Sequence, residues 1–193
     1  LDLTELIKHT ESKRAANPDA LVVLWASLEC TNFSKAKGGQ PRDADSRTLA
    51  EHLFRCIEAL NPDYIYIENV EEFMCWGDIN ENGKPVSKDR GRLYMRWIRN
   101  VCKYGYSFAH RLLNSANYGA YTSRTRFFGI FAKGSLPIVF PEPTHCKDGK
   151  QDMFDNLKPW KPVKEVLELN NEGVSIFERE KPEYVFLAAA KVG

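Results

Sequence analysis

Cys30 stands in the run Ala26-Ser-Leu-Glu-Cys-Thr-Asn-Phe-Ser34, directly after the apolar stretch 21–26. A thiol at that place could act as a nucleophile, because cysteine attacks strongly as the thiolate and can leave again. The ordinary fate of a free cysteine is a small buried apolar group, so Cys30 alone leaves both readings open. Glu68 and Asn69 follow a second β-rich run, Tyr64-Ile-Tyr-Ile67. A carboxylate beside a thiol opposes thiolate formation; it serves better by holding a substrate or sharing a proton with it. A strand-end glutamate facing solvent is the plain alternative. Arg124 and Arg126 are spaced by two, which on an extended segment puts both side chains on one face. Such a pair can clamp a phosphate or a polar base edge, or simply solvate an edge strand.

The elements that must carry these residues are legible from patterning. Leu21-Val-Val-Leu-Trp-Ala26 has the length and continuity of a strand buried on both faces of a parallel sheet. The Gly- and Lys-containing stretch 31–43 reads as a loop. Leu49, Leu53, Phe54, Ile57 and Leu60 have the spacing of an amphipathic helix, which Asn61-Pro62-Asp63 ends. The run at 64–67 then completes a strand–loop–helix–strand unit, the grammar of an α/β sheet. In such sheets functional groups collect outside the carboxyl ends of the strands, where Cys30 and Glu68 both fall. Further on, 78–90 reads as a polar loop and 93–104 as a helix with Leu93, Trp97, Ile98 and Val101 on one face, stopped by Gly105. The segments 106–113 and 126–132 are expected to form an antiparallel pair at one side of the sheet. Past Gly134 the prolines at 137, 141, 143, 159 and 162 break regular patterning, and a domain boundary is expected near 145. No repeat or low-complexity tract is present.

Composition sets outer limits. The chain has 193 residues, 43% hydrophobic and 27% charged, and its aromatic content suits a globular core. No apolar run approaches the roughly 20 residues of a membrane span. The net charge of +1 requires any nucleic-acid contact to come from local basic clusters. Five cysteines without a CxxC pair argue against a disulfide framework or a structural zinc, and for a reducing cytosol. Leu1 opens the chain without a signal-peptide pattern, and the chain reads as an excised segment.

Taken in order, Cys-x-x-Phe-Ser, Glu-Asn-Val and Asn-Tyr-Gly-x-x-x-x-Arg-x-Arg resemble the DNA (cytosine-5)-methyltransferase family. The resemblance runs from about residue 2 to 145, and more weakly to about 179. Tyr104-Gly-Tyr and Leu113-Asn-Ser-Ala-Asn-Tyr-Gly119 carry part of it, as do Asp45-Ser-Arg47, Pro143-Thr-His145 and Val174-Ser-Ile-Phe-Glu-Arg179. It implies a partial Rossmann-like α/β methyltransferase domain with a mixed sheet. Residues 1–145 would be the catalytic subdomain, and 146–193 the passage toward a target-recognition region. It implies Cys30 as nucleophile toward carbon 6 of a flipped cytosine and Glu68 on ring nitrogen 3. Asn69 would shape the pocket, and Arg124 and Arg126 would orient the base and the adjacent backbone. S-adenosylmethionine would be the methyl donor, faced by Asp2, Leu3, Glu29 and Leu49. Double-stranded DNA would be the partner, met by Ser34, Lys35, Lys37 and Arg42 in the basic loop. No metal or membrane is implied.

The family's glycine-rich cofactor loop and ribose-binding acid have no counterpart here, nor does its final Gly-Asn motif. Leu28, Glu29 and Thr122 replace the usual residues around the cysteine and before the arginines. The expectation is an active parent enzyme of bacterial or phage origin, of the restriction-modification kind, and a fragment that is itself inactive with weak cofactor affinity. An uncovered sheet edge or apolar surface is also expected, with self-association as one way to bury it. The rivals are an inactive homologue that binds DNA or protein, a thiol hydrolase using one of His9, His52, His110 or His145, and a plain interaction module.

Overall fold

The structure, a computed structural model, describes residues 3–27, 45–77, 90–151 and 156–167, without the side chains of 45–51. The chain divides into two compact units, Leu1–Lys161 and Pro162–Gly193. In the second, the described part contains a single 3₁₀ turn, Val163–Glu165.

The first unit opens with helix α1, Thr4–Ala16, which has no buried residue. Side-chain bonds hold it instead. The Arg14 guanidinium donates to the carbonyls of Leu60 and Asn61 and to Asp63 Oδ2, at 3.2, 2.8 and 3.2 Å. Asp63 also accepts the Val22 N–H at 2.7 Å. One carboxylate thus joins α1 to the lead-in of strand β1, Val23–Ser27. Helix α2, Asp45–Leu60, and strand β2, Tyr64–Asn69, follow. Next come a 3₁₀ turn, Glu71–Cys75, helix α3, Arg92–Cys102, strand β3, Tyr106–Asn114, and strand β4, Thr125–Lys133.

These strands form one mixed sheet in the order β1-β2-β4-β3. β1 and β2 are parallel, with Ser27 opposite Glu68. β4 runs antiparallel to both β2 and β3. The parallel adjacent pair and the antiparallel pair at the sheet's side are both as the sequence led us to expect. The strand limits shift by one or two residues, β1 most, because Leu21 and Val22 lead into the ladder without joining it.

Strand alternation divides the sheet into two unlike faces. On one, Ile65 and Ile67 of β2 and Phe127 and Phe131 of β4 are buried beneath Leu53 and Ile57 of α2 and Trp97, Ile98 and Val101 of α3. Phe73 lies at the centre. Its ring meets Tyr94, Trp97 and Phe127 edge-on at 5.5, 5.5 and 5.6 Å and stacks on Trp76 at 6.0 Å. Truncating such a ring to alanine costs about 3–5 kcal/mol, so Phe73 pins the turn that follows β2. The other face carries Val23, Trp25, Tyr64, Tyr66 and Phe128. Trp25 stacks on Tyr66 at 6.0 Å and meets Phe128 at 6.4 Å, yet remains 57% exposed on the outermost strand.

The first unit continues to Lys161. Here lies a small second sheet of β5, His145–Cys146, β6, Lys150–Gln151, and β7, Asn156–Pro159, in the order β5-β7-β6. Cys56, Cys75, Cys102 and Cys146 are free thiols. Among the described residues there is no helix long and apolar enough to cross a membrane, and no metal-binding cluster.

Candidate active site at the carboxyl end of the parallel strands

The β2 run places Glu68 at its penultimate position, and three strands meet there. Glu68 stands opposite Ser27, the last residue of β1, and opposite Phe128 of β4. Alternation puts Glu68 and Arg126 on the same face of the sheet. Arg126 Nε lies 3.3 Å from Glu68 Oε1, with the two side chains 24% and 27% exposed. At that burial the pair is partly desolvated but reachable by a ligand. A second bond, from Arg126 Nη1 to the Thr125 carbonyl at 2.8 Å, fixes the guanidinium plane. The exposed Trp25 and the half-buried Tyr66 and Phe128 lie beside the pair, and Trp25 Nε1 donates to Ser27 Oγ at 3.1 Å. The site is therefore a charged, hydrogen-bonding pair bordered by aromatic surface, suited to a flat polar ligand.

Asn69 belongs to the opposite face. It is 2% exposed, and its Oδ1 accepts the N–H of Val70 at 2.8 Å. That bond shapes the exit from β2 just beyond Glu68. Arg124 precedes β4 and is exposed. Its backbone is tied to Ser115, with the Arg124 N–H donating to Ser115 Oγ at 3.2 Å and the Ser115 N–H to the Arg124 carbonyl at 3.1 Å. Its side chain has no partner among the described residues. The structure thus brings Glu68 and Arg126 together, places Asn69 behind them, and sets Arg124 two residues from Arg126 at the mouth of the β3–β4 connection.

Cys30 lies outside the described residues. The β1 register nonetheless brings the chain to Ser27 beside Glu68, three residues before it. Glu29, Ser34, Lys35, Lys37 and Arg42 also lie outside the described residues, as does Asp2. Leu3 is the residue before the first turn of α1, and Leu49 lies in α2 with its side chain outside the description. Sequence reasoning missed the parts played by Ser27, Trp25 and Ser115. Their only signals were a tryptophan inside an apolar run and the Asn114-Ser115 pair at a strand end, a common turn signature.

Ring stacking organises the helix side of this end of the sheet. His110 lies on Phe127 at 5.2 Å and on Phe108 at 5.7 Å, and desolvation by these neighbours lowers its pKa from the ordinary histidine value. Gly129 permits that stack, since a Cβ there would come within 3.0 Å of Phe108 and 3.1 Å of Phe127.

Comparison with known proteins adds a family. The model of C-5 cytosine-specific DNA methylases matches residues 4–185. The chain is similar to the type II methyltransferase M.AquIA of Picosynechococcus sp., at 24% identity over 162 residues, covering 78% of this chain and 61% of that protein. It is similar to M.BsuRI of Bacillus subtilis at 27% identity, covering 74% of this chain and 29% of that protein. The chain therefore spans between about a third and three fifths of the length of these relatives. Among solved structures, a Spodoptera frugiperda DNMT2 variant aligns over 86% of this chain and 43% of its own at 18% identity, with a TM-score of 0.46.

Proposed function

Because this chain belongs to the C-5 cytosine-specific DNA methylase family, we propose that it is the catalytic part of an enzyme that methylates carbon 5 of cytosine in duplex DNA. The observation that carries the reading is the Glu68–Arg126 pair at the end of β2, beside the point where β1 delivers the chain toward Cys30. Carbon 5 of cytosine is a poor nucleophile. The Cys30 thiolate would add to carbon 6, and the displaced electron pair of the 5,6 double bond makes carbon 5 electron-rich. Glu68 would share a proton with ring nitrogen 3 and so offset the charge that addition creates. Arg126, held against Glu68, would orient that carboxyl group and the polar edge of the base. Arg124 would orient the base together with the backbone next to it, and the basic residues Lys35, Lys37 and Arg42 would meet the phosphates. After transfer, loss of the carbon 5 proton re-forms the double bond and expels the Cys30 thiolate. Since the target atom is shielded in a duplex, the base must swing out to reach the cleft.

S-adenosylmethionine would supply the electrophilic methyl group. Of the residues expected to hold it, only Leu3 is fully described. Asp2, Glu29 and the side chain of Leu49 complete the proposed set, which is one wall of a pocket. The names of the type II relatives suggest a restriction-modification setting, and the free thiols suit a reducing cytoplasm.

The test is transfer of labelled methyl groups from S-adenosylmethionine to duplex DNA by the full-length parent, followed by base analysis. Label in 5-methylcytosine is expected. DNA binding without transfer would favour an inactive homologue, a reading to which Glu29 lends weight, because an acidic neighbour opposes formation of the Cys30 thiolate.

A further inference from the structure

Arg126 is held in the β3–β4 ladder, opposite Leu113, whereas Arg124 stands just before β4 and depends on the connection from β3. That connection is knotted internally. Besides the Arg124–Ser115 backbone bonds, Ser115 Oγ donates to the Thr122 carbonyl at 2.6 Å and Asn114 Nδ2 to Ser123 Oγ at 2.9 Å. Its far side is gripped from outside by the small sheet. The Thr144 N–H donates to the Asn117 carbonyl at 2.9 Å, and Trp160 Nε1 donates to Asn117 Oδ1 at 2.9 Å. One asparagine is thus held through both its backbone and its side chain. Two residues on, Gly119 turns the chain with a φ of +84°, and a Cβ there would lie 2.9 Å from Cε1 of His145. His145 is itself 7% exposed, with Nδ1 hydrogen-bonded to Thr144 Oγ1 at 2.8 Å. The chain reverses directly over a buried imidazole.

We propose that Asn117, His145 and Trp160 are positioning residues for Arg124: the small sheet at 144–160 clasps the β3–β4 connection, and Ser115 passes that constraint to the arginine. This rests on the methyltransferase reading for its functional part.

Limited trypsin cleavage after Arg124, relative to cleavage after Lys103 in the same molecule, reports the clasp without any assay of activity. In the full-length parent, Trp160→Phe removes one donor and Asn117→Ala removes one acceptor. A half-buried hydrogen bond of ordinary strength predicts that each raises the ratio about fivefold, with a similar rise for His145→Ala. Asn117→Asp keeps an acceptor for Trp160 and should stay near the wild-type ratio. Methyl transfer at saturating DNA should show a kcat lowered about fivefold in the first two variants and restored in Asn117→Asp, with the KM for S-adenosylmethionine unchanged. A ratio within twofold of wild type overturns the clasp. So does a rise in cleavage at both sites together, which marks general loss of stability. Faster cleavage after Arg124 with an unchanged kcat overturns the positioning role. A wild-type protein that transfers no methyl groups sinks the methyltransferase reading and the positioning role with it, while the cleavage ratio still decides the clasp.

Discussion

Replacing Glu68 by Gln separates chemistry from stability at the candidate site. The amide keeps the shape and can still donate to a ring nitrogen, but it cannot pass a proton. At the observed 3.3 Å, two unit charges attract by about 1.3 kcal/mol in water and about 5 kcal/mol at an effective dielectric of about 20. Both side chains are about a quarter exposed, so desolvation and lost side-chain freedom cancel most of this, leaving a net contribution of about 1 kcal/mol or less. Urea unfolding of Glu68→Gln and Arg126→Met should each show that small loss, with a coupling of similar size in the double variant. Methyl transfer should behave differently. Loss of a positioned proton donor lowers rate constants about a hundredfold or more, the equivalent of nearly 3 kcal/mol by the same arithmetic. Single-turnover transfer to a short duplex, with enzyme in excess and saturating donor, reads that step without product release. Retention of more than about a tenth of the wild-type rate constant would refute the assignment of Glu68 to proton chemistry. A coupling in unfolding beyond about 3 kcal/mol would recast the pair as a structural bridge.

Cys30→Ser in the parent should abolish turnover and leave DNA affinity near wild type in a gel-shift titration, since a hydroxyl is a far weaker nucleophile at neutral pH; near-normal turnover would exclude covalent catalysis by this residue. The 193-residue chain alone should bind S-adenosylmethionine only weakly, because the glycine turn and ribose-binding acid of such sites have no counterpart in it; micromolar binding by calorimetry would relocate the cofactor site. Alkaline pH should weaken the fold through Tyr106, whose hydroxyl donates to the Pro62 carbonyl at 2.5 Å and whose pKa burial pushes up to about 12. A pKa raised on folding favours the protonated phenol, so this stabilisation is whole below the ordinary tyrosine pKa of about 10 and is lost as pH climbs toward about 12. Tyr106→Phe should make the stability profile less steep across that interval, to which Tyr94, also pushed up by burial, adds its own slope; an unchanged slope would show that Tyr106 does not contribute.

Helix and strand identities were readable because they rest on local periodicity. Leu93, Trp97, Ile98 and Val101 fall on one helical face whatever covers them, and Tyr64-Ile-Tyr-Ile67 alternates as a strand must. The order of Cys30, Glu68-Asn69 and Arg124/Arg126 was enough to point to a family and a chemistry. Helix α1 escaped notice because it has no apolar stripe; its anchor is Arg14, which finds its partners only where α2 ends and β2 begins. The small sheet escaped too, since strands of two residues carry no period and exist only against the connection they clasp. Long-range register alone decided that Arg126 rather than Arg124 would face Glu68. Two residues of the same type at spacing two are equivalent along a chain, and they become different only when one enters a ladder between two strands and the other is left to the loop before it.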